Sequence, residues 1–109
     1  MEKDRRSDER VRLALDVRWQ YAAGSYTGRC GDISLRGCHV ESAAPVQVGE
    51  RIGIEIRLAA GHWLPLCGVV VNQHPGSGFS IRFEDLPAAS REMLVYLIDY
   101  FSESQSMSW

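Results

Sequence analysis

Apolar and polar residues alternate along most of this chain, and the period changes once, near the end. Leu13, Leu15, Val17, Trp19 and Tyr21 are separated by Ala14, Asp16, Arg18 and Gln20. That is the pattern of a half-buried strand with one face inward. Ala22-Ala23-Gly24-Ser25 makes a turn, and residues 26–33 read as a second strand. Gly37 precedes a third, in which Cys38 and Val40 face inward while His39 and Glu41 face out. Residues 43–50 read as a loop. Ile52, Ile54, Ile56 and Leu58 then alternate with Gly53, Glu55 and Arg57, the cleanest strand in the sequence. Residues 64–72 are apolar on both faces around Val69-Val70-Val71, so that strand is expected to be covered on both sides. His74-Pro75-Gly76-Ser77-Gly78 is rich in turn-forming residues and leads into a last strand carrying Phe79, Ile81 and Phe83.

After residue 84 the period becomes helical. Asp85 is suited to an N-cap, with Pro87 in the first turn, where its missing N–H costs little. Leu94, Leu97, Ile98 and Phe101 fall at i, i+3, i+4 and i+7, one helical stripe. Met93, Tyr96, Leu97 and Tyr100 form a second stripe beside it, and the resulting wide arc is expected to pack into the neighbouring sheet. Six short strands followed by one helix indicate an all-β domain, a small six-stranded antiparallel barrel with the helix over an open end or face. The organisation read from the chain is a charged arm at residues 1–11, one domain at 12–104 with its helix at about 87–102, and a polar tail at 105–109.

Composition narrows the function classes. At 109 residues, 45% hydrophobic and 24% charged, the chain matches one ordinary globular domain. No apolar run is long enough to span a bilayer, and Met1-Glu2-Lys3-Asp4-Arg5-Arg6 has no signal-peptide core, so the expected compartment is the cytoplasm, without membrane insertion. A net charge of −2 argues against binding a nucleic-acid polymer, which needs a broad basic face. The N-terminal segment nevertheless concentrates Lys3, Arg5, Arg6, Arg10 and Arg12, a supply of aimed cations that suits a small anionic ligand.

No catalytic set emerges, and the chain is read as a non-enzyme. His39, His62 and His74 lie in separate segments, no nucleophile elbow is present, and there is no P-loop. Cys30, Cys38 and Cys67 each sit in a strand-like segment, where free cysteine acts as a small buried hydrophobe. Together with the histidines they lack metal-ligand spacing, so no metal site is expected.

Two short motifs carry the chemistry. Arg6 and Arg10 form R-x-x-x-R, and an even separation points both the same way in an extended segment. Each guanidinium can chelate phosphate oxygens, pair with guanine O6 and N7, or stack on a purine. Asp32-Ile33-Ser34-Leu35-Arg36-Gly37 is D-x-S-x-x-G. The Asp32 carboxylate can accept from guanine N1–H and N2–H. Ser34, two residues on, is expected to share its face, and Gly37 suits a positive φ or a close approach. Taken singly, these residues also fit a solvated charge run and an Asx-type turn.

In this order, one strand apart and followed by Gly78-Phe79-Ser80-Ile81-Arg82-Phe83, the motifs resemble the PilZ domain, a bacterial receptor for cyclic di-GMP. The resemblance covers roughly residues 4–104. It implies a six-stranded barrel in which Arg6 and Arg10 contact phosphate and guanine while Asp32, Ser34 and Gly37 line the site. Arg5 and Arg36 are additional cations beside those positions. The family binds the nucleotide singly or as a stacked pair. The function expected is a stand-alone cyclic di-GMP sensor that orders its arm on binding and signals to a protein effector. The alternative is an interaction adaptor with a vestigial nucleotide site. An exposed second helix stripe would make either a partner surface or a homodimer contact. Trp19 is expected on the first strand's inward face, while Trp63 and Trp109 have no assigned place.

Overall fold

The computed structural model describes residues 9–21 and 23–106. Among them, strands β1 (Val11–Tyr21), β2 (Gly24–Ile33), β3 (Gly37–Glu41), β4 (Arg51–Arg57), β5 (Trp63–His74) and β6 (Gly78–Phe83) precede helix α1 (Ala88–Ser106). The strands close a barrel in the order β1-β2-β3-β6-β5-β4, every neighbouring pair antiparallel, with β4 returning to β1. Closure removes the unpaired sheet edge that an open six-stranded sheet would expose.

The period-2 pattern places the core where the sequence expects it. Val17, Trp19, Cys30, Cys38, Val40, Ile52, Ile54 and Ile56 are all buried, and Arg18, Gln20 and Arg57 between them are exposed. Burying side chains such as Ile54, Ile56 and Phe79 contributes roughly 1.5–3 kcal/mol each. Trp19 lies inside the barrel, stacked at 6.0 Å on Tyr26 and edge-on at 5.5 Å to Phe79. Its indole Nε1 is buried without a hydrogen-bond partner, so Trp19 acts in the core rather than toward a ligand. Trp63 is on the outside, its ring 3.8 Å beneath the Arg18 guanidinium, which also meets Glu55 at 2.7 Å. Trp109 lies outside the described residues.

Glycine permits closure at the β3–β6 seam. A Cβ on Gly37 would lie 2.0 Å from the Ile81 carbonyl oxygen, so only a bare Cα lets β3 approach β6. Gly78 opens β6 with φ 141°, and a Cβ there would lie 1.9 Å from the Val40 oxygen.

Three sequence expectations are corrected. The outer face of β5 is only partly covered: Val70 is buried, but Cys67, Val69 and Val71 are half-buried and Pro65 is exposed. A barrel strand has one face on the core, and α1 reaches β5 over only part of its length. Asp85 does not cap the helix. It sits at φ 55° with its carboxylate 3.4 Å from Arg51, and the Pro87 carbonyl accepts the first helical bond, from Arg91 N–H. The wide apolar arc is not swallowed by the barrel either. Leu94 and Ile98 are fully buried, while Met93, Tyr96 and Tyr100 stay 43%, 72% and 67% exposed. One helix offers one face to one barrel, and the second stripe falls beyond it.

No helix among the described residues is long and apolar enough to cross a membrane.

Candidate functional site

The D-x-S-x-x-G segment occupies the end of β2 and the turn into β3. Three irregularities meet at this level of the barrel. The β1–β2 register shifts between Arg12 and Leu15, the β2–β3 register between Cys30 and Asp32, and the β5–β6 register between Val70 and Asn72. In β2 the extra residue is Gly31. It lets Cys30 and Ile33 both point into the core while Asp32 points out, as bulges re-aim side chains beside functional sites. The Cys30 thiol donates to the Asp32 carbonyl at 3.4 Å, tying the bulge down from inside. Its hydrogen bond with Cys30, together with complete burial, pushes the Cys38 thiol well above its ordinary pKa, so Cys38 stays neutral.

Asp32 and Arg10 are brought together. Arg10 Nη1 lies 2.6 Å from Asp32 Oδ1, with the two side chains 56% and 37% exposed. Arg12 stands directly across from Asp32 in the β1–β2 register, adding a second cation to the same face. Arg5 and Arg6 lie outside the described residues, so the structure joins the second arginine of R-x-x-x-R to the second motif.

Ser34 is placed differently from its expected position. It follows the last residue of β2, where strand alternation no longer applies, and it is only 3% exposed. Its Oγ accepts the Arg36 N–H at 3.1 Å, and its N–H donates to the Gly37 carbonyl at 2.8 Å. The serine therefore shapes the turn on which Asp32 is presented. Gly37 makes the close approach the sequence calls for, but to β6 rather than to open space. Arg36 is exposed at the turn, and its carbonyl accepts Phe83 N–H at 2.8 Å.

Two features of this region carry no motif. Ser102 Oγ on α1 donates to Glu9 Oε2, so the residue just before Arg10 is fastened to the helix. His39 stands directly opposite Asp32 in the β2–β3 register. The alternation already turns His39 outward, but only the register reveals which residue it faces. An apolar groove of about 670 Å³ lies elsewhere, between β1, the Arg57–Ala59 segment and the Met93/Tyr96/Tyr100 side of α1. None of the described motif residues lines it. Among the described residues no group of three or more His, Cys, Asp or Glu is placed to hold a metal ion.

Solved structures share this architecture. The chain superposes on the Bacillus subtilis inhibitor of motility MotI (DgrA) with a TM-score of 0.72 at 22% identity, covering 92% of this chain. It spans about half the length of that protein, 50%. The PilZ domain of Escherichia coli YcgR, solved with c-di-GMP, gives 0.72 at 17% identity, covering 89% of this chain and 91% of that one. The PilZ domain of CeSA from a cellulose-synthesizing bacterium gives 0.67 at 18% identity, covering 86% and 98%. At these identities the likeness concerns the fold. A search of curated protein sequences found no match. The family model for the PilZ domain matches residues 4–100, nearly the whole described barrel and most of α1, and the chain belongs to the PilZ domain family.

Proposed function

We propose that this protein is a cyclic di-GMP receptor whose arm orders on the ligand and passes the signal to a protein effector. The observation that carries this reading is the Arg10–Asp32 pair, which unites the two motifs on one outer face. In the free protein each charge is held by the other. The ligand offers better partners to both: phosphate oxygens or guanine O6 and N7 for Arg10, and guanine N1–H and N2–H for Asp32. Arg6 supplies the second guanidinium from the arm, with Arg5 and Arg36 as flanking cations. Ser34 and Gly37 serve by fixing the turn. The YcgR structure, a PilZ domain with c-di-GMP, supports the choice of ligand.

The route of output is α1. Drawing the arm onto the ligand displaces Glu9 from Ser102, which changes how the C-terminal half of the helix is held. The effector surface on this reading is the exposed Met93, Tyr96 and Tyr100 stripe. That stripe also favours the second reading, an interaction adaptor with a vestigial nucleotide site. A homodimer through the same residues has no support among these observations. The receptor reading carries the cytoplasmic location with it.

Equilibrium dialysis with cyclic di-GMP at physiological salt separates the two readings. The receptor reading expects saturable binding that Arg6→Ala and Arg10→Ala each weaken by at least about tenfold. Absence of binding by the wild-type protein leaves the adaptor.

A further inference from the structure

Strand register builds more of this face than the two motifs. Asp32 in β2 stands opposite His39 in β3, His39 opposite Ser80 in β6, and Ser80 opposite Asn72 in β5. Directly opposed residues on antiparallel strands project from the same face, about 4.5–5.5 Å apart at Cβ. Asp32, His39, Ser80 and Asn72 therefore form one polar row across the outside of the barrel, beginning where Arg10 reaches Asp32.

His39 occupies the middle of that row. It is half-buried, flanked inward by the fully buried Cys38 and Val40, so its ring is held on the outer surface. Its Nδ1 lies 3.5 Å from Ser80 Oγ, and its ring centroid is 5.6 Å from that of His74. In the tautomer that carries its proton on Nε2, the Ser80 hydroxyl donates to Nδ1 and Nε2–H is a donor available to a ligand.

Resting on the receptor reading, we propose that His39 is a specificity-determining contact for the guanine held by Asp32. The carboxylate accepts from N1–H and N2–H, and the neighbouring imidazole donates from Nε2 to O6. Guanine presents an acceptor, O6, where adenine presents an amino donor. A carboxylate alone tolerates a donor at that position, whereas an imidazole N–H beside it opposes one. The pair thus reads an acceptor at position 6 beside a donor at position 1, the reverse of the order that adenine presents.

Binding of cyclic di-GMP and cyclic di-AMP to the full chain is the test, with His39→Ala and His39→Gln beside the wild type. His39→Ala is expected to weaken cyclic di-GMP about tenfold and leave cyclic di-AMP no weaker, one hydrogen bond's worth of discrimination. His39→Gln, which keeps a donor near the Nε2 position, is expected to recover most of the loss. Equal weakening of both nucleotides, or cyclic di-GMP binding within twofold of wild type in His39→Ala, overturns the assignment. The wild-type His39 ring signals in an NMR titration give a readout independent of variant folding: a ligand-dependent shift is expected, and none overturns it. If the wild type binds no cyclic di-GMP at all, the receptor reading falls and this inference with it. If it binds and His39→Ala is silent, only the inference falls.

Discussion

Arg10 and Asp32, 22 residues apart in the chain, meet at 2.6 Å on the outside of the barrel. The relationship has two consequences. It brings the second arginine of one motif to the aspartate of the other, and on the receptor reading the ligand replaces an existing ion pair rather than entering an empty site. Exchange is favourable because both charges are partly exposed and solvent-screened, so little is lost when they part.

Stability and binding should therefore separate at these positions. Arg10→Ala and Asp32→Ala are each expected to change unfolding free energy by less than about 1 kcal/mol, the range of exposed ion pairs. Each should weaken cyclic di-GMP by about 10- to 100-fold, the cost of losing charge-assisted hydrogen bonds. Urea denaturation and calorimetry on the same samples check this. A variant that unfolds yet binds normally when folded would invert the assignment.

The motif turn should show the opposite behaviour. Ser34→Ala removes the acceptor for the Arg36 N–H in a buried turn and is expected to cost about 1–2 kcal/mol in stability. Gly37→Ala forces a methyl to 2.0 Å from the Ile81 carbonyl oxygen, and a loss above about 3 kcal/mol is expected, enough to unfold a marginally stable domain. Equilibrium unfolding distinguishes the two. A Gly37→Ala protein of wild-type stability would show that β3 and β6 are not so tightly apposed.

Much of this architecture is legible in the sequence. Leu13 to Tyr21 and Ile52 to Ile56 alternate cleanly because one face of each meets a single core, and α1 buries Leu94 and Ile98 as their spacing requires. What failed depended on closure. Val69 and Val71 look like a doubly covered strand, but a barrel wall with one short helix leaves them half-covered. Met93, Tyr96 and Tyr100 look like core until the helix proves to have only one face to bury. At the site, Asp32 was legible and Ser34 was misdirected, because β2 ends at Ile33 and the alternation ends with it. His39 was invisible as a neighbour of Asp32, since a bulge at Gly31 sets that register and bulges leave little trace in sequence.

Coupling between arm and helix is open to measurement through the Glu9–Ser102 contact. Cyclic di-GMP is expected to alter amide exchange in the C-terminal half of α1. In Ser102→Ala, binding should stay within about threefold of wild type, since solvent competition leaves a partly exposed charged contact about 0.2–1 kcal/mol. The ligand-dependent exchange change in the helix should nevertheless be lost. An unchanged exchange response in that variant would separate the helix from the signal.

The buried Cys38 thiol imposes a pH dependence. Cys38 has a folded-state pKa well above its ordinary value, raised by the Cys30 hydrogen bond and by burial. The unfolded chain loses that proton first, at about pH 8.5, so stability is expected to fall as pH rises above this point. Cys38→Ala should flatten the alkaline limb. Urea midpoints measured between about pH 7 and 10 in both proteins decide it, and parallel profiles would assign the limb to other groups.

The most direct test of the account is an isothermal titration of the wild-type protein and Arg10→Ala with cyclic di-GMP at physiological salt. The account expects saturable binding by the wild type and its loss, or a weakening of at least about tenfold, in an equally stable Arg10→Ala. Equal affinity in the two proteins, or no heat and no binding with the wild type, would contradict it.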